Sequence, residues 1–453
     1  MHMLDSRNTK ALVILAAALA AGLVVGSLRF SGLGQAGRIT LGIFTVAAIL
    51  WMLEPFPLYV TSFLVLIMEV VLLTRPGAPL ALAGKSYRIF VAPFFDPVIV
   101  LLLGGFTMAT AVKRCGIDEM ISRQILQRMG TGPGSVLLGM MVTSAFLSMW
   151  LSNTATAALM LAVAIPLVES LPKGERFGKA IVLGIPFACN VGGMATPIGT
   201  PPNAIAMGIL DGIGSQITFL EWMMRGVPLV VVLLVLCWLV LMKIFKPGVD
   251  SIEVDLGVQD RMDGRTRFVL ILFSVVVLLW LTTKWHGIPS PIVSLLPLVV
   301  LFGLRILNDD DLRNLGWGVL FIVGGGMSLG VAMRESGLTE WLVELVPFGG
   351  IGLLPLMLVF SVGAAAITTF ISNSATANLL IPIVVGITAI SPDRSAVIIA
   401  LASSVAMMLP ISTPPNAIAY GSGYLRMNDM LKAGSVITFA SSIMVAAFIY
   451  MVF

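Results

Sequence analysis

The residues able to do chemistry in this 453-residue chain are neutral and few. Ser152-Asn153-Thr154-Ala155-Thr156 is followed, after an apolar run, by Gly199-Thr200-Pro201-Pro202-Asn203-Ala204-Ile205-Ala206. Both elements return in order as Ser372-Asn373-Ser374-Ala375-Thr376 and Ser412-Thr413-Pro414-Pro415-Asn416-Ala417-Ile418-Ala419, shifted by 220 and 213 residues. Hydroxyls and Asn amides donate hydrogen bonds to a carboxylate or small oxyanion, and the free amides of a helix start add partial positive charge. The carbonyl oxygens of Asn153, Asn373 and an interrupted backbone suit a hard cation such as sodium. Anion and cation held together offset each other's desolvation, so coupling needs no titrating side chain. One copy alone reads equally well as helix caps and a helix stop. The ordered pair reads as the matching halves of a duplicated membrane protein with one site between them.

Other chemistries find little support. Cys115, Cys189 and Cys237 stand singly, and His2 and His286 are too few for a histidine metal site, haem or triad. No nucleophile–base pair, HExxH motif or paired metal carboxylates stand at convincing spacing, so the chain reads as not an enzyme. With 58% hydrophobic and 11% charged residues and apolar runs from end to end, it reads as a polytopic α-helical membrane protein embedded in lipid. The alternation of an outer-membrane barrel is missing. The net charge of +4 sits in short connections, where it reports orientation rather than nucleic-acid binding. The first apolar run follows Arg7 and Lys10 without a clear cleavage site and reads as an uncleaved first span.

Stepping outward to the elements, spans fall at about 11–28, 39–53, 56–74, 91–112 and 226–243, and again at about 268–284, 288–304, 317–333 and 434–452. The stretches 130–166 and 352–386 carry the Ser-Asn signatures at their centres. They read as re-entrant hairpins whose polar tips survive at depth only if buried in protein; two ordinary thin spans are the bland alternative. Segments 180–210 and 395–421 are interrupted, the first by Asn190, Gly192-Gly193, Pro197, Gly199 and Pro201-Pro202, the second by Pro410 and Pro414-Pro415.

The anticipated organisation is an N-terminal segment with the first helix (1–37), a first repeat (38–242), a polar cytoplasmic linker (243–267) and a second repeat (268–453). Arg38 to Trp51 is echoed by Arg267 to Trp280, and Gly104-Gly105 by Gly325-Gly326. About 11 transmembrane helices with five crossings per repeat force the repeats into opposite orientations. Basic residues favour one set of connections roughly two to one, which places the N-terminus inside and the C-terminus outside a bacterial inner membrane. Glu54, Glu69 and Asp96 lie near proposed span ends and read more readily as interfacial than as coupling groups. Trp51, Trp150, Trp280 and Trp317 read as interface or packing anchors.

The paired signatures, with Gly192-Gly193-Met194-Ala195-Thr196-Pro197-Ile198 leading into the first broken motif, resemble those of the divalent anion:sodium symporters, carriers of dicarboxylates, citrate or sulfate. The resemblance spans nearly the whole chain. It implies a homodimer with a scaffold domain and a transport domain that moves as an elevator with its substrate and Na+. It further implies a first sodium site of Ser148, Ser152, Asn153 and Gly199, and a second of Thr368, Ile371, Asn373 and Ser412. Asn153, Thr154, Thr200, Asn373, Ser374, Thr413 and Pro414 would surround the substrate carboxylates. Ser374 stands where the family commonly has threonine, and Met194 and Pro197 also depart from the common pattern. The leading expectation is sodium-coupled import of C4-dicarboxylates (succinate, malate, fumarate). A proton-coupled or other-anion permease for sulfate, citrate or arsenite, and an anion channel, are the alternatives.

Overall fold

A computed structural model describes residues 6–172, 175–252, 262–345, 352–387 and 390–452. Residues 253–261, the centre of the anticipated linker, lie outside the described residues. The described residues are helical, with no strand among them. Numbering helices of eight residues or more, α1 is Ser6–Ser27 and stands outside the duplication. The first repeat then runs α2 (Gln35–Leu53), α3 (Leu58–Glu69), α4 (Pro97–Arg114), α5 (Ile117–Arg128), α6 (Pro133–Ser148), α7 (Asn153–Glu169), α8 (Phe177–Gly192), α9 (Pro201–Asp211) and α10 (Phe219–Ile244). The second runs α11 (Gly264–Leu281), α12 (Leu295–Gly303), α13 (Trp317–Glu335), α14 (Leu338–Leu345), α15 (Leu353–Thr368), α16 (Asn373–Val384), α17 (Pro392–Ala402), α18 (Pro414–Gly421) and α19 (Met427–Val452). Each helix of the first repeat has its counterpart in the second, in the same order, and α10 and α19 are both 26 residues long.

The breaks follow from the local sequence. α6 ends at Ser148, and the chain turns through residues 149–152 before Ser152 caps α7: its hydroxyl accepts the Ala155 N–H at 3.2 Å. Ser372 caps α16 in the same way, accepting from Ala375 N at 3.2 Å. α8 stops at Gly192, and Pro201 occupies the first position of α9, where its missing N–H costs nothing. Between them Gly193 comes so close to Asn153 that a Cβ there would sit 2.6 Å from Asn153 Oδ1. In the second repeat α17 and α18 are separated by residues 403–413, with Pro414 again opening the helix. The arms of α6–α7 and α15–α16 are short, as are Leu58–Thr74 and Ser290–Gly303, whereas eight other described helices, against about 11 anticipated spans, are each long and apolar enough to cross a membrane.

The repeats pack by exchange. α3 lies against α13 and α12 against α4, so each repeat's third span is held by the other repeat. Likewise α9 packs on α16 and α17, while α18 packs on α7 and α8. Small residues permit these approaches: Gly325 meets the Ser62 side chain and Gly104 meets Ser294, where a Cβ would collide. One large buried core continues through both repeats, and a smaller one forms around α2, α3, α13 and α16. Trp51 and Trp280 are wholly buried rather than interfacial. Trp51 Nε1 donates to the Leu58 carbonyl at 3.2 Å and Trp280 Nε1 to the Ser290 carbonyl at 3.2 Å, tying each repeat's first span to the next.

Candidate functional site

The two hairpin turns carry the same hydrogen-bond pattern. In the first, the Ser148 hydroxyl donates to Asn153 Oδ1 at 2.6 Å and lies 2.9 Å from the Cys189 carbonyl of α8. In the second, the Thr368 hydroxyl sits 2.8 Å from Asn373 Oδ1 and 2.9 Å from the Ser403 carbonyl beyond α17. One hydroxyl proton thus faces two acceptors in each repeat, leaving oxygen-rich clusters at the tips of both hairpins. The facing breaks close on the turns. The Thr196 hydroxyl donates to the Met149 carbonyl at 2.5 Å and the Ser412 hydroxyl to the Thr369 carbonyl at 2.7 Å.

Each break is itself stapled by the asparagine of its Thr-Pro-Pro-Asn motif. Asn203 Nδ2 donates to the carbonyls of Gly193 (3.0 Å) and Thr196 (2.8 Å). Asn416 Nδ2 donates to those of Ala406 (3.3 Å) and Leu409 (3.2 Å). Backbone carbonyls that lose their helix partners are satisfied this way without water, as a buried interruption requires. Asn203 and Asn416 are fully buried.

Between the turns and breaks lies a cavity of about 280 Å³ lined by both repeats. Ser152, Asn153, Thr154, Gly199 and Thr200 contribute from the first, and Ser372, Asn373, Ser374, Ser412, Thr413 and Pro414 from the second. Ten of the thirteen anticipated site residues are therefore brought together, with Ser372 beside them. Ser148, Thr368 and Ile371 stand behind the wall: the two hydroxyls act on the asparagines, and Ile371 is buried in the smaller core. No lining residue is charged. The hairpin tips face this cavity within the fold, as burial of their polar groups demands.

Several further residues line the cavity. Leu58, Leu102, Phe106, Val319 and Ile322 supply an apolar wall from α3, α4 and α13, with nothing local to distinguish them from ordinary span residues. Asn190 also lines the cavity; its place among helix-breaking residues marks it, though not its partners. The acids fall outside the site. Glu69 is fully buried rather than interfacial, accepting from the Ser328 hydroxyl across the α3–α13 contact. Asp96 caps α4, accepting the Val98 N–H at 2.9 Å. Glu54 ends α2 in a left-handed conformation, at φ 45°.

Comparison with known proteins places this geometry. The family described as "Sodium:sulfate symporter transmembrane region" matches residues 7–453. The sodium-dependent dicarboxylate transporter SdcS of Staphylococcus saprophyticus is 31% identical over 95% of this chain and 90% of its own. Among solved structures, the Alcanivorax borkumensis YdaH transporter aligns with a TM-score of 0.60 at 12% identity, covering 99% of this chain and 98% of that one. Neisseria gonorrhoeae MtrF aligns with a TM-score of 0.59 at 12% identity, over 100% and 96%. At such identities these two establish a shared transporter fold and nothing finer.

Proposed function

Because this chain belongs to the sodium:sulfate symporter family and is a multi-pass membrane transporter, we propose that it couples sodium entry to the import of C4-dicarboxylates. The observation that carries the proposal is the uncharged cavity jointly lined by both Ser-Asn and both Thr-Pro-Pro signatures. A doubly charged anion enters such a site only with compensating cations. The name of the SdcS relative points to the same pair of ligands.

In this reading one sodium ion is held by Ser148, Ser152, Asn153 and Gly199, and the other by Thr368, Ile371, Asn373 and Ser412, partly through main-chain oxygens. Asn153, Thr154 and Thr200 take one carboxylate, and Asn373, Ser374, Thr413 and Pro414 the other. Sodium binding draws the asparagine oxygens and so presents their amide hydrogens to the anion. The ions are thereby bound as a set, and moving an overall compensated site costs far less than moving a bare dianion. The hairpins and broken helices form the moving part, α1–α4 and α11–α13 the fixed part, and two copies assemble as a dimer.

The N-terminus is cytoplasmic and the C-terminus outside, with residues 38–242 and 268–453 as inverted repeats. The apolar wall includes Leu58, which opens α3, and Val319 near the start of α13. Both helices then begin on the cytoplasmic side, so this conformation faces inward.

The test is uptake into proteoliposomes with a panel of succinate, malate, fumarate, citrate, sulfate and arsenite, imposing sodium and proton gradients separately. Accumulation of a C4-dicarboxylate driven by a sodium gradient at fixed pH supports the reading. Accumulation driven by protons alone, or of sulfate, citrate or arsenite alone, replaces it with another permease.

A further inference from the structure

A chain of hydrogen-bond assignments crosses from one repeat to the other at the cavity wall. It begins with Asn416, whose Nδ2 donates to the carbonyls of Ala406 and Leu409 at 3.3 and 3.2 Å. Both partners are acceptors only, so the amide orientation of Asn416 is fixed and Oδ1 is its other arm. That oxygen lies 3.3 Å from the side chain of Asn190, in the other repeat. Only a donor fits opposite it, so the Asn190 atom there is Nδ2. The same Nδ2 donates to Thr413 Oγ1 at 3.1 Å, and the Asn416 N–H donates to that oxygen as well, at 3.4 Å. Two donors fill the two acceptor positions of the Thr413 hydroxyl. Its hydrogen is left over, and it donates to no protein acceptor among the described residues.

Asn190 has no sodium or substrate role in the assignment above. It is fully buried, and among the buried side-chain polar atoms of the described cavity lining its Oδ1 is the one without a partner. Leaving a buried carbonyl oxygen unsatisfied costs stability, and the opposite amide orientation would not remove that cost without placing two acceptors face to face. The first repeat does not reproduce the device. The position matching Asn190 by the shift of the broken motif is Ser403, whose hydroxyl donates to its own helix at Ile399 O, 2.7 Å away. Asn203 Oδ1 accordingly has no partner where Asn416 Oδ1 has one.

Resting on the anion site proposed above, we infer that Asn190 is a substrate-positioning residue: it fixes the Thr413 hydroxyl as a ready-made donor to one carboxylate of the substrate. The two ends of the cavity are therefore unequal. The Thr413 end is set before the anion arrives, whereas the Thr200 hydroxyl has no such partner and is organised by the ligand. A preset donor loses no orientational freedom on binding and is worth more for it.

The experiment is a double-mutant cycle on the full-length protein in proteoliposomes, using whichever panel anion the unmodified protein transports best. Thr413→Val should raise KM about tenfold, the loss of one hydrogen bond to a charged group, and Asn190→Ser, which copies the other repeat, should raise it severalfold, because the hydroxyl remains but is no longer preset. Together they should raise it no more than Thr413→Val alone, because without the hydroxyl Asn190 has nothing left to preset. With the anion held at the same multiple of each variant's KM, the sodium concentration for half-maximal uptake should stay within twofold, which a general loosening of the site would not allow. Asn190→Ala runs the same cycle should Asn190→Ser not fold. An unchanged KM in the Asn190 variant, or effects that multiply in the double variant, overturns the inference. Absence of sodium-driven uptake by the unmodified protein would instead sink the functional reading on which it rests.

Discussion

At the scale of single residues, Asn153 and Asn373 are the pivots. Each side chain is held by a hydroxyl from its own hairpin, Ser148 or Thr368, at 2.6 and 2.8 Å. In the proposed site, replacing either asparagine with alanine would remove both a cation ligand and a carboxylate donor, and uptake should fall at least a hundredfold while the purified protein keeps its helical spectrum. Ser148→Ala or Thr368→Ala leaves the asparagine in place without its support. Each should raise the sodium requirement severalfold and leave maximal uptake near that of the unmodified protein, as measured by sodium titration of initial rates. The paired Ser-Asn and Thr-Pro motifs were legible because polar residues in apolar runs have few structural uses. Asn190 was legible only as a breaker, since its partners Thr413 and Asn416 lie more than 220 residues away and no local pattern encodes that meeting. Glu69 misled for a related reason: its distance from a span end says nothing of the Ser328 hydroxyl that covers it.

At the scale of elements, the interrupted segments are held open by the spans that follow them. Trp222 of α10 donates its Nε1–H to the Met194 carbonyl at 3.1 Å, and Thr438 of α19 accepts the Met407 N–H at 3.0 Å. Both spans bring a glycine against the break. A Cβ at Gly226 would sit 2.8 Å from the Met194 carbonyl, and one at Gly434 would collide with the Met407 carbonyl. Gly434→Val must push α19 away from the break, a form of overpacking that costs about 1–3 kcal/mol. The expected result is a lower unfolding temperature in detergent together with loss of uptake; an unchanged melting curve would show that the contact is not tight. Glycine and proline positions sufficed to place both breaks, and the spacing of apolar runs to place the long spans. The hydrogen bonds that make a break tolerable were not legible, because they come from helices whose packing partners the apolar pattern leaves unspecified.

At the scale of the whole molecule, the duplication makes the site. Each repeat supplies half of the cavity wall, and the exchange of α3 with α13 and of α12 with α4 binds the halves together. In the orientation proposed above, the cavity faces the cytoplasm. A cysteine introduced at Thr154, which lines the cavity, should then react with a membrane-impermeant maleimide from the cytoplasmic side in the absence of substrate. Substrate with sodium should protect it; labelling confined to the outer side would reverse the assigned orientation. Native Cys189 and Cys237 are buried and contribute little background, and the partly exposed Cys115 is first replaced by serine. The repeat itself was legible from sequence as two short elements recurring in order. The interlocking of its halves was not, since shifts in numbering carry no information on which surfaces meet.

The central claim is that sodium and a dianion share one uncharged pocket and stabilise one another there. It is tested most directly by the equilibrium affinity of the purified protein for its transported anion, measured by titration at fixed pH and ionic strength with sodium exchanged for choline. Linkage requires that sodium tighten anion binding by the same factor as the anion tightens sodium binding. The account predicts at least a tenfold loss of anion affinity in choline, largely abolished as a difference in Asn153→Ala and Asn373→Ala because both forms then bind weakly. Equal anion affinity in sodium and in choline would contradict it.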